Sequence, residues 1–371
     1  MTNPLNIIVN NVWHLPGFRT RRKLIAFVID DYGSIRTSSC ESYDKLTGYG
    51  LNLENNRFTR YDTLESNQDL VQLYEVLSSF RDCMGKSPAF TPMVCVANPD
   101  FEKIRNSGFT KYYYEPFTET LKRYSDHDQV FRLWKEGIDN RIFVPQFHAR
   151  EHLNIRRWMT DLQQGVKSTI LAFNYGISGI GHNEAKDIHK EYQASFDIDD
   201  PDDIVNLKPV IREGLQLFEA LTGYKAVFFS PANTLFNHSL DADLKEGGIE
   251  MINAGKREKE PLGHGKYRIS LHYSYQKNRL GQLYVLRNAL FEPNQKASFD
   301  WTNRCIHDIA TAFRWGKPAI ISSHRVNFSG HLVPENRING LNNLKKLLGM
   351  ILNKWPDCEF VLMDDLNKIC K

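Results

Sequence analysis

No stretch of 18 apolar residues occurs anywhere in this 371-residue sequence, so it offers no membrane-spanning helix. It also lacks an excess of one charge. Lys and Arg number 47 against 44 Asp and Glu, a formal +3, which falls short of the basic surplus expected of a nucleic-acid binder. The six cysteines (Cys40, Cys83, Cys95, Cys305, Cys358, Cys370) show no CxxC spacing, which excludes a zinc ribbon or a redox pair of that type. No low-complexity tract, no repeat of about 20–50 residues and no Pro/Gly/Ser linker divides the chain. The start, MTNPLNIIVNNVWHLPGF, has no basic region followed by an apolar core; taken as the native start, it predicts a cytoplasmic protein without a signal peptide. The remainder is ordinary, with 41% hydrophobic and 25% charged residues, which excludes disordered, collagenous and disulfide-scaffold classes. The length allows two or three domains of ~150 residues, or one α/β barrel filling most of the chain.

What is present is a series of short apolar runs separated by helical patterns. The clearest run, LIAFVI at 24–29, predicts a buried strand and ends abruptly in Asp30-Asp31-Tyr32-Gly33. Others lie at 90–96, 141–147, 226–229, 249–253, 319–322 and 360–363. Helical spacing fills 69–80, 126–136, 155–164, 202–221, 303–315 and 335–353. In the last, Ile338, Leu341, Leu344, Leu347, Leu348 and Ile351 form a stripe suited to packing on a sheet. Strands alternating with helices imply a largely parallel sheet covered by helices, and about seven such units suit a barrel better than a small open sheet. Two polar stretches without a clean period, 36–67 and 256–282, read as insertions into a single barrel domain spanning 1–371.

In such folds the working end lies where strands finish, so the residues after each apolar run carry the interest. Those residues are Asp30-Asp31, His148-Ala149-Arg150-Glu151-His152, Ser230-Pro231-Ala232-Asn233 and His324-Arg325-Val326-Asn327. His148 and His152, four apart, share one face if the strand gives way to a helical turn, and both imidazoles can then reach one metal ion. Two His and an Asp leave positions open for water and substrate, the pattern of a catalytic site rather than a structural one. The same residues match HxxEH, in which Glu151 would be the base of a metallopeptidase, but that motif needs both histidines within one helix, and Ile142, Phe143, Val144 and Pro145 favour a strand. Asp30 and Asp31, side by side, otherwise suit a solvated turn. At a buried strand end one can bind metal while the other serves as a base. His324 suits either a hydrogen-bonded core histidine or a proton donor at the end of its strand.

The order DD, HxxxH, a proline-containing strand end, Asp-Trp and a late strand-end His resembles the polysaccharide deacetylases, carbohydrate esterases of family four. Val28-Ile29-Asp30-Asp31-Tyr32-Gly33 is similar to their TFDDG motif, and His148 to His152 to their metal motif. The resemblance runs from about Leu24 to Met363 and implies a distorted (β/α)7 barrel that removes acetyl groups from a sugar or polysaccharide with a divalent metal, usually Zn2+. On that resemblance Asp31, His148 and His152 hold the metal, Asp30 is the general base and His324 the general acid. The backbone N–H near Asn233 completes an oxyanion hole, and Trp301, after Asp300, walls the sugar pocket or opens a helix as an ordinary buried indole. The implied partner is an acetylated saccharide, with no nucleic acid and no membrane span. Two departures stand out. Ser230-Pro231-Ala232-Asn233 replaces Arg-Pro-Pro, removing the arginine that orients the base, with Arg325, Arg150 or Arg304 as stand-ins; and Ser322-Ser323-His324-Arg325 replaces the final Leu-x-His. Two rivals follow. A barrel glycosidase would need carboxylates ~5–9.5 Å apart across the bond, for which adjacent Asp30 and Asp31 are poorly placed. A carbohydrate-binding member without catalysis is favoured by the missing arginine.

Overall fold

The computed structural model describes residues 16–296 and 298–370. Residues 1–15, most of the stretch on which the expected cytoplasmic location rests, lie outside them. Among the described residues thirteen strands are formed: β1 (Lys23–Tyr32), β2 (Phe90–Cys95), β3 (Ala97–Pro99), β4 (Tyr114–Pro116), β5 (Gln146–Ala149), β6 (Phe228–Phe229), β7 (Met251–Asn253), β8 (Arg257–Gly263), β9 (Lys266–Leu271), β10 (Leu283–Val285), β11 (Ala289–Leu290), β12 (Ala319–His324) and β13 (Cys358–Phe360). Nine make one sheet in the order β10-β7-β6-β5-β2-β1-β12-β11, with β13 pairing β1. Every pairing in it is parallel.

The two ends of this path, β10 and β11, are consecutive in the chain and separated only by Leu286, Arg287 and Asn288. The sheet therefore curls into an α/β barrel with one break, the distorted barrel expected. Helices follow the strands as expected at Asn67–Ser78, Val130–Asp139, Asp203–Thr222, Trp301–Arg314 and Pro334–Lys354. Between β7 and β10 an antiparallel hairpin, β8–β9, stands where a helix would. Its turn places His264 (φ 53°) and Gly265 (φ 68°) in the left-handed region, as a two-residue hairpin loop requires. This is the 256–282 insertion. The 36–67 insertion holds two short helices, Cys40–Gly48 and Arg57–Tyr61, and shares an apolar cluster with Leu153, Trp158 and Phe173.

The alternation of β1 builds the core. Leu24, Ala26 and Val28 face inward, meeting Met93, Phe228, Met251, Leu283 and Ile320 inside the barrel. Ile25, Phe27 and Ile29 face outward against the helices. In the Pro334–Lys354 helix, Leu341, Leu344, Leu347, Leu348 and Ile351 are buried as the stripe predicts, whereas Ile338 is 48% exposed. Complete burial of each such side chain contributes roughly 1.5–3 kcal/mol.

Two short strands, β10 and β11, were not legible in the sequence. At three and two residues, and directly after a polar insertion, they carry too little periodicity to register. The run at 141–147 also shifts: Ile142–Pro145 bring only a single bridge, Phe143 to Phe90, and the strand proper is Gln146–Ala149. Met363 opens a helix rather than ending a strand.

Candidate metal centre and proton-transfer residues

Strand alternation alone would send Asp30 into the barrel mouth and Asp31 away from it. The backbone breaks that rule. The β1–β2 register shifts between Ile29 and Tyr32, and Asp31 takes φ 82°, a left-handed conformation unusual for a side chain other than glycine. Asp31 thereby turns toward β5. Its Oδ1 lies 3.6 Å from His148 Nε2 and 3.3 Å from His152 Nε2. One donor atom from each of the three side chains falls within 4.8 Å of the others.

His148 sits inside β5, and His152 follows in a bend before the Ile155–Gln163 helix, so the expected helical turn is a bend instead. His148 Nδ1 lies 2.5 Å from the Ser230 carbonyl, which fixes Nδ1 as the protonated nitrogen. Its Nε2 is buried without a hydrogen-bond partner. A buried Nε2 with no hydrogen-bond partner, facing a carboxylate and a second imidazole, suits a metal ligand. Burial pushes Asp31 up, but the two imidazoles outweigh it and hold its carboxyl well below the usual carboxylate range. Burial lowers His152, keeping that imidazole neutral and available as a ligand. Asp31, His148 and His152 thus form a donor set that could hold a divalent cation.

Asp30 and His324 form the second half of the site. They are register partners in β1 and β12, so their side chains emerge on the same face. His324 Nε2 lies 3.8 Å from Asp30 Oδ2. The other oxygen, Asp30 Oδ1, is buried and without a partner. His324 Nδ1 donates to Glu292 Oε1 at 2.6 Å. Burial lowers the His324 pKa, but Glu292, with Asp31 and Asp30, outweighs it and raises it to about 9. Glu292 is itself held by Arg57 (2.6 Å) and by the Asn327 amide (2.8 Å).

A cation reaches Asp30 from a segment that the sequence analysis did not single out. Arg287 donates to Asp30 Oδ2 at 2.6 Å. Its place is the break between β10 and β11, which is why no apolar run announced it. None of the three stand-ins named from the sequence takes this position. Arg325 is buried and binds Asp62, Glu65 and the Ser34 carbonyl. Arg150 pairs with Glu151 and Glu213 and lies over the Tyr114 ring. Arg304 pairs with Asp308 on the helix surface. The Arg150 pairing also overturns the HxxEH reading: Glu151 is engaged at 2.7 and 2.8 Å, and neither histidine lies in a helix.

Asn233 is exposed, adopts φ 55°, and lines an open groove with Asp197, Asp199, Arg157 and Tyr267. Asp300 caps the Trp301–Arg314 helix by accepting from the Asn303 N–H at 2.9 Å. Trp301 packs on Phe299 and lines a separate depression with Tyr61 and Asn294, to which none of Asp30, Asp31, His148, His152 and His324 contributes. Trp301 and Asp300 line this depression without Asp31, His148 or His152.

No helix among the described residues is long and apolar enough to cross a membrane. No protein-family model matches the chain, and no curated protein matches it. Solved structures with a similar chain path include a CE4-family pseudoenzyme from Bacillus anthracis, at 9% identity and a TM-score of 0.37, covering 93% of this chain and 66% of the other. The 4-alpha-glucanotransferase of Thermococcus litoralis is similar at 9% identity and a TM-score of 0.46, covering 93% of this chain and 40% of the other. The CE4 domain of a multidomain xylanase from the hindgut metagenome of Trinervitermes trinervoides is similar at 10% identity and a TM-score of 0.33, covering 94% and 90%. This chain therefore spans less than two thirds of the length of the first two. At identities of 9–10% the chemistry of the site has to be read from its own side chains.

Proposed function

We propose that the chain is a divalent-metal-dependent hydrolase that removes acetyl groups from a saccharide, a member of the polysaccharide deacetylases. The observation that carries this reading is the unpartnered Nε2 of His148 facing Asp31 and His152, beside an Asp30–His324 pair whose free atoms suit proton transfer. When bound by Asp31, His148 and His152, a divalent cation, Zn2+ by its donor set, supplies Lewis acidity to an acyl carbonyl and acidifies water.

The chain's own residues do the rest. Arg287 holds Oδ2 of Asp30, leaving Oδ1 to take the proton of the attacking water. In this reading the developing oxyanion is assigned to the backbone N–H near Asn233. His324, protonated at neutral pH with a pKa of about 9, donates from Nε2 to the departing sugar nitrogen or oxygen. Water oxygen joins the acyl carbon, the C–N or C–O bond breaks, and acetate leaves. Arg287 also removes the feature that favoured a non-catalytic binding member, since the base has its cation.

The test is acetate release from a panel of acetylated saccharides, read with metal content. Asp30→Asn should lower turnover by roughly 10²–10⁴-fold while metal stays bound. Wild-type rates in that variant on a confirmed substrate would remove Asp30 from the mechanism.

A further inference from the structure

Away from the barrel mouth, three side chains from separate segments meet under the β8–β9 hairpin. His238 comes from the loop after β6, Glu258 from β8, and His272 from the residue that follows β9. Glu258 Oε2 lies 3.1 Å from His238 Nε2 and 2.7 Å from His272 Nε2. One donor atom from each falls within 4.8 Å of the others, in a group that shares no residue with Asp31, His148 and His152. Tyr284 backs the cluster, its ring 4.1 Å from that of His272. Since Leu283 and Val285 on either side of Tyr284 fill the barrel interior, the cluster lies outside the barrel wall.

Hydrogen bonding accounts for His238, whose Nε2 pairs with Glu258 Oε2 and whose Nδ1 pairs with Asp241 Oδ1, both at 3.1 Å, but not for His272. His272 is 6% exposed, and neither of its ring nitrogens has a hydrogen-bond partner. Its approach to Glu258 is close but lacks hydrogen-bond geometry. Asp241 Oδ1 lies 3.1 Å from His238 Nδ1 and accepts its proton, while Asp241 Oδ2 is held by Asn278 at 3.0 Å. A carboxylate on the far nitrogen is how metal-bound imidazoles are oriented, and it turns His238 Nε2 toward the cluster. The hairpin adds a third feature. It buries Glu258 and Glu260, while Tyr267, Ile269 and Leu271 on β9 face solvent. Charge, rather than apolar packing, seats it on the barrel.

We propose that His238, Glu258 and His272 form a second divalent-cation site that staples the β8–β9 hairpin to the barrel wall. Two imidazoles and a carboxylate are a zinc donor set, leaving one position for water. Zinc–ligand distances of about 2.0–2.1 Å set donor atoms roughly 3.3 Å apart, so binding widens the Glu258 contacts by a few tenths of an ångström. This site stands independently of the deacetylase reading, which concerns different residues.

The full chain, stripped by chelator and reloaded with Zn2+, provides the test. In crystals of the reloaded protein, anomalous scattering at the zinc edge should show an ion among His238, Glu258 and His272. Glu258→Gln, which preserves shape, should lower zinc affinity at this site at least tenfold and leave the ion at Asp31 in place. A map without a peak there, or a Glu258→Gln variant that binds zinc as the wild type does, overturns the proposal.

Discussion

Asp30 shows how a carboxylate's surroundings, rather than its identity, set what it can do. Its Oδ2 is bound by Arg287 from the break in the sheet, and its Oδ1 is left free in a buried setting. Both partners are nearly out of solvent, with side chains 12% and 5% exposed for Arg287 and Asp30. Removing one member of a buried pair leaves the other charge uncompensated, which costs about 3–5 kcal/mol. Arg287→Ala should therefore lower stability by that order in chemical denaturation. It should also reduce kcat/KM roughly 10²-fold, because Asp30 loses its fixed orientation. Full activity in a folded Arg287→Ala variant would show that Arg287 does not position the base. Glu292 acts on His324 in the same indirect way. Because Glu292 raises His324 to about 9, activity that needs the protonated imidazole should fall as pH rises through that value. Glu292→Gln leaves the burial of His324 weakly opposed and should move the alkaline limb of the kcat/KM profile to lower pH. An unmoved limb would assign that ionisation to another group.

Elements position these residues by small departures from regularity. A left-handed non-glycine residue costs about 1–3 kcal/mol, and at Asp31 that strain is what sends two adjacent carboxylates into one site. The Pro334–Lys354 helix contributes from the opposite side. A Cβ on Gly340 would meet the Asn327 carbonyl oxygen at 1.7 Å, so helix and loop touch backbone to backbone there. Asn327 in turn holds Glu292, the partner of His324. Gly340→Ala should push this loop away, lowering the melting temperature and slowing turnover together. Gly349, in the same helix, meets nothing within 4 Å of an added Cβ. Gly349→Ala should instead stabilise by about 0.5–1 kcal/mol through helix propensity, with activity unchanged. Thermal melts of the two variants side by side check both, and equal shifts would contradict the packing account.

Among the described residues no strand ladder closes the barrel, and side chains tie the connection at the break to a neighbouring strand. Asn288 donates to the Pro318 carbonyl at 2.9 Å and accepts from the Ile320 N–H at 2.8 Å, tying this connection to β12. The Asp31–His148–His152 group ties β1 to the β5 end, two segments far apart in the chain. A ligand that binds only the folded state at a thousand times its dissociation constant stabilises by about 4 kcal/mol. Chelation should accordingly lower the melting temperature by roughly 5–10 °C and abolish acetate release, with Zn2+ restoring both. His148→Ala should lower the melting temperature without added chelator and show a smaller further drop when chelator is added. Calorimetry with and without metal reads this, and identical melts for stripped and reloaded wild type would remove the cation from the folded state.

The sequence by itself determined the barrel class, the long amphipathic helices and five residues that the structure gathers at one end: Asp30, Asp31, His148, His152 and His324. These were legible because each ends an apolar run long enough to show its period or stands just beyond it, and strand ends converge by topology. Arg287 and Glu292 also stand just past strand ends, but LYV and AL are too short to announce a strand. The stand-in arginines failed for a related reason. Pairing of buried charges is settled by which carboxylate lies nearest in space, and chain order carries no record of that. Only the tertiary structure decided that Arg325 serves Asp62 and Glu65, that Trp301 lines a depression apart from Asp31, His148 and His152, and that His238 meets Glu258 and His272, because each depends on long-range packing of segments with no shared local pattern.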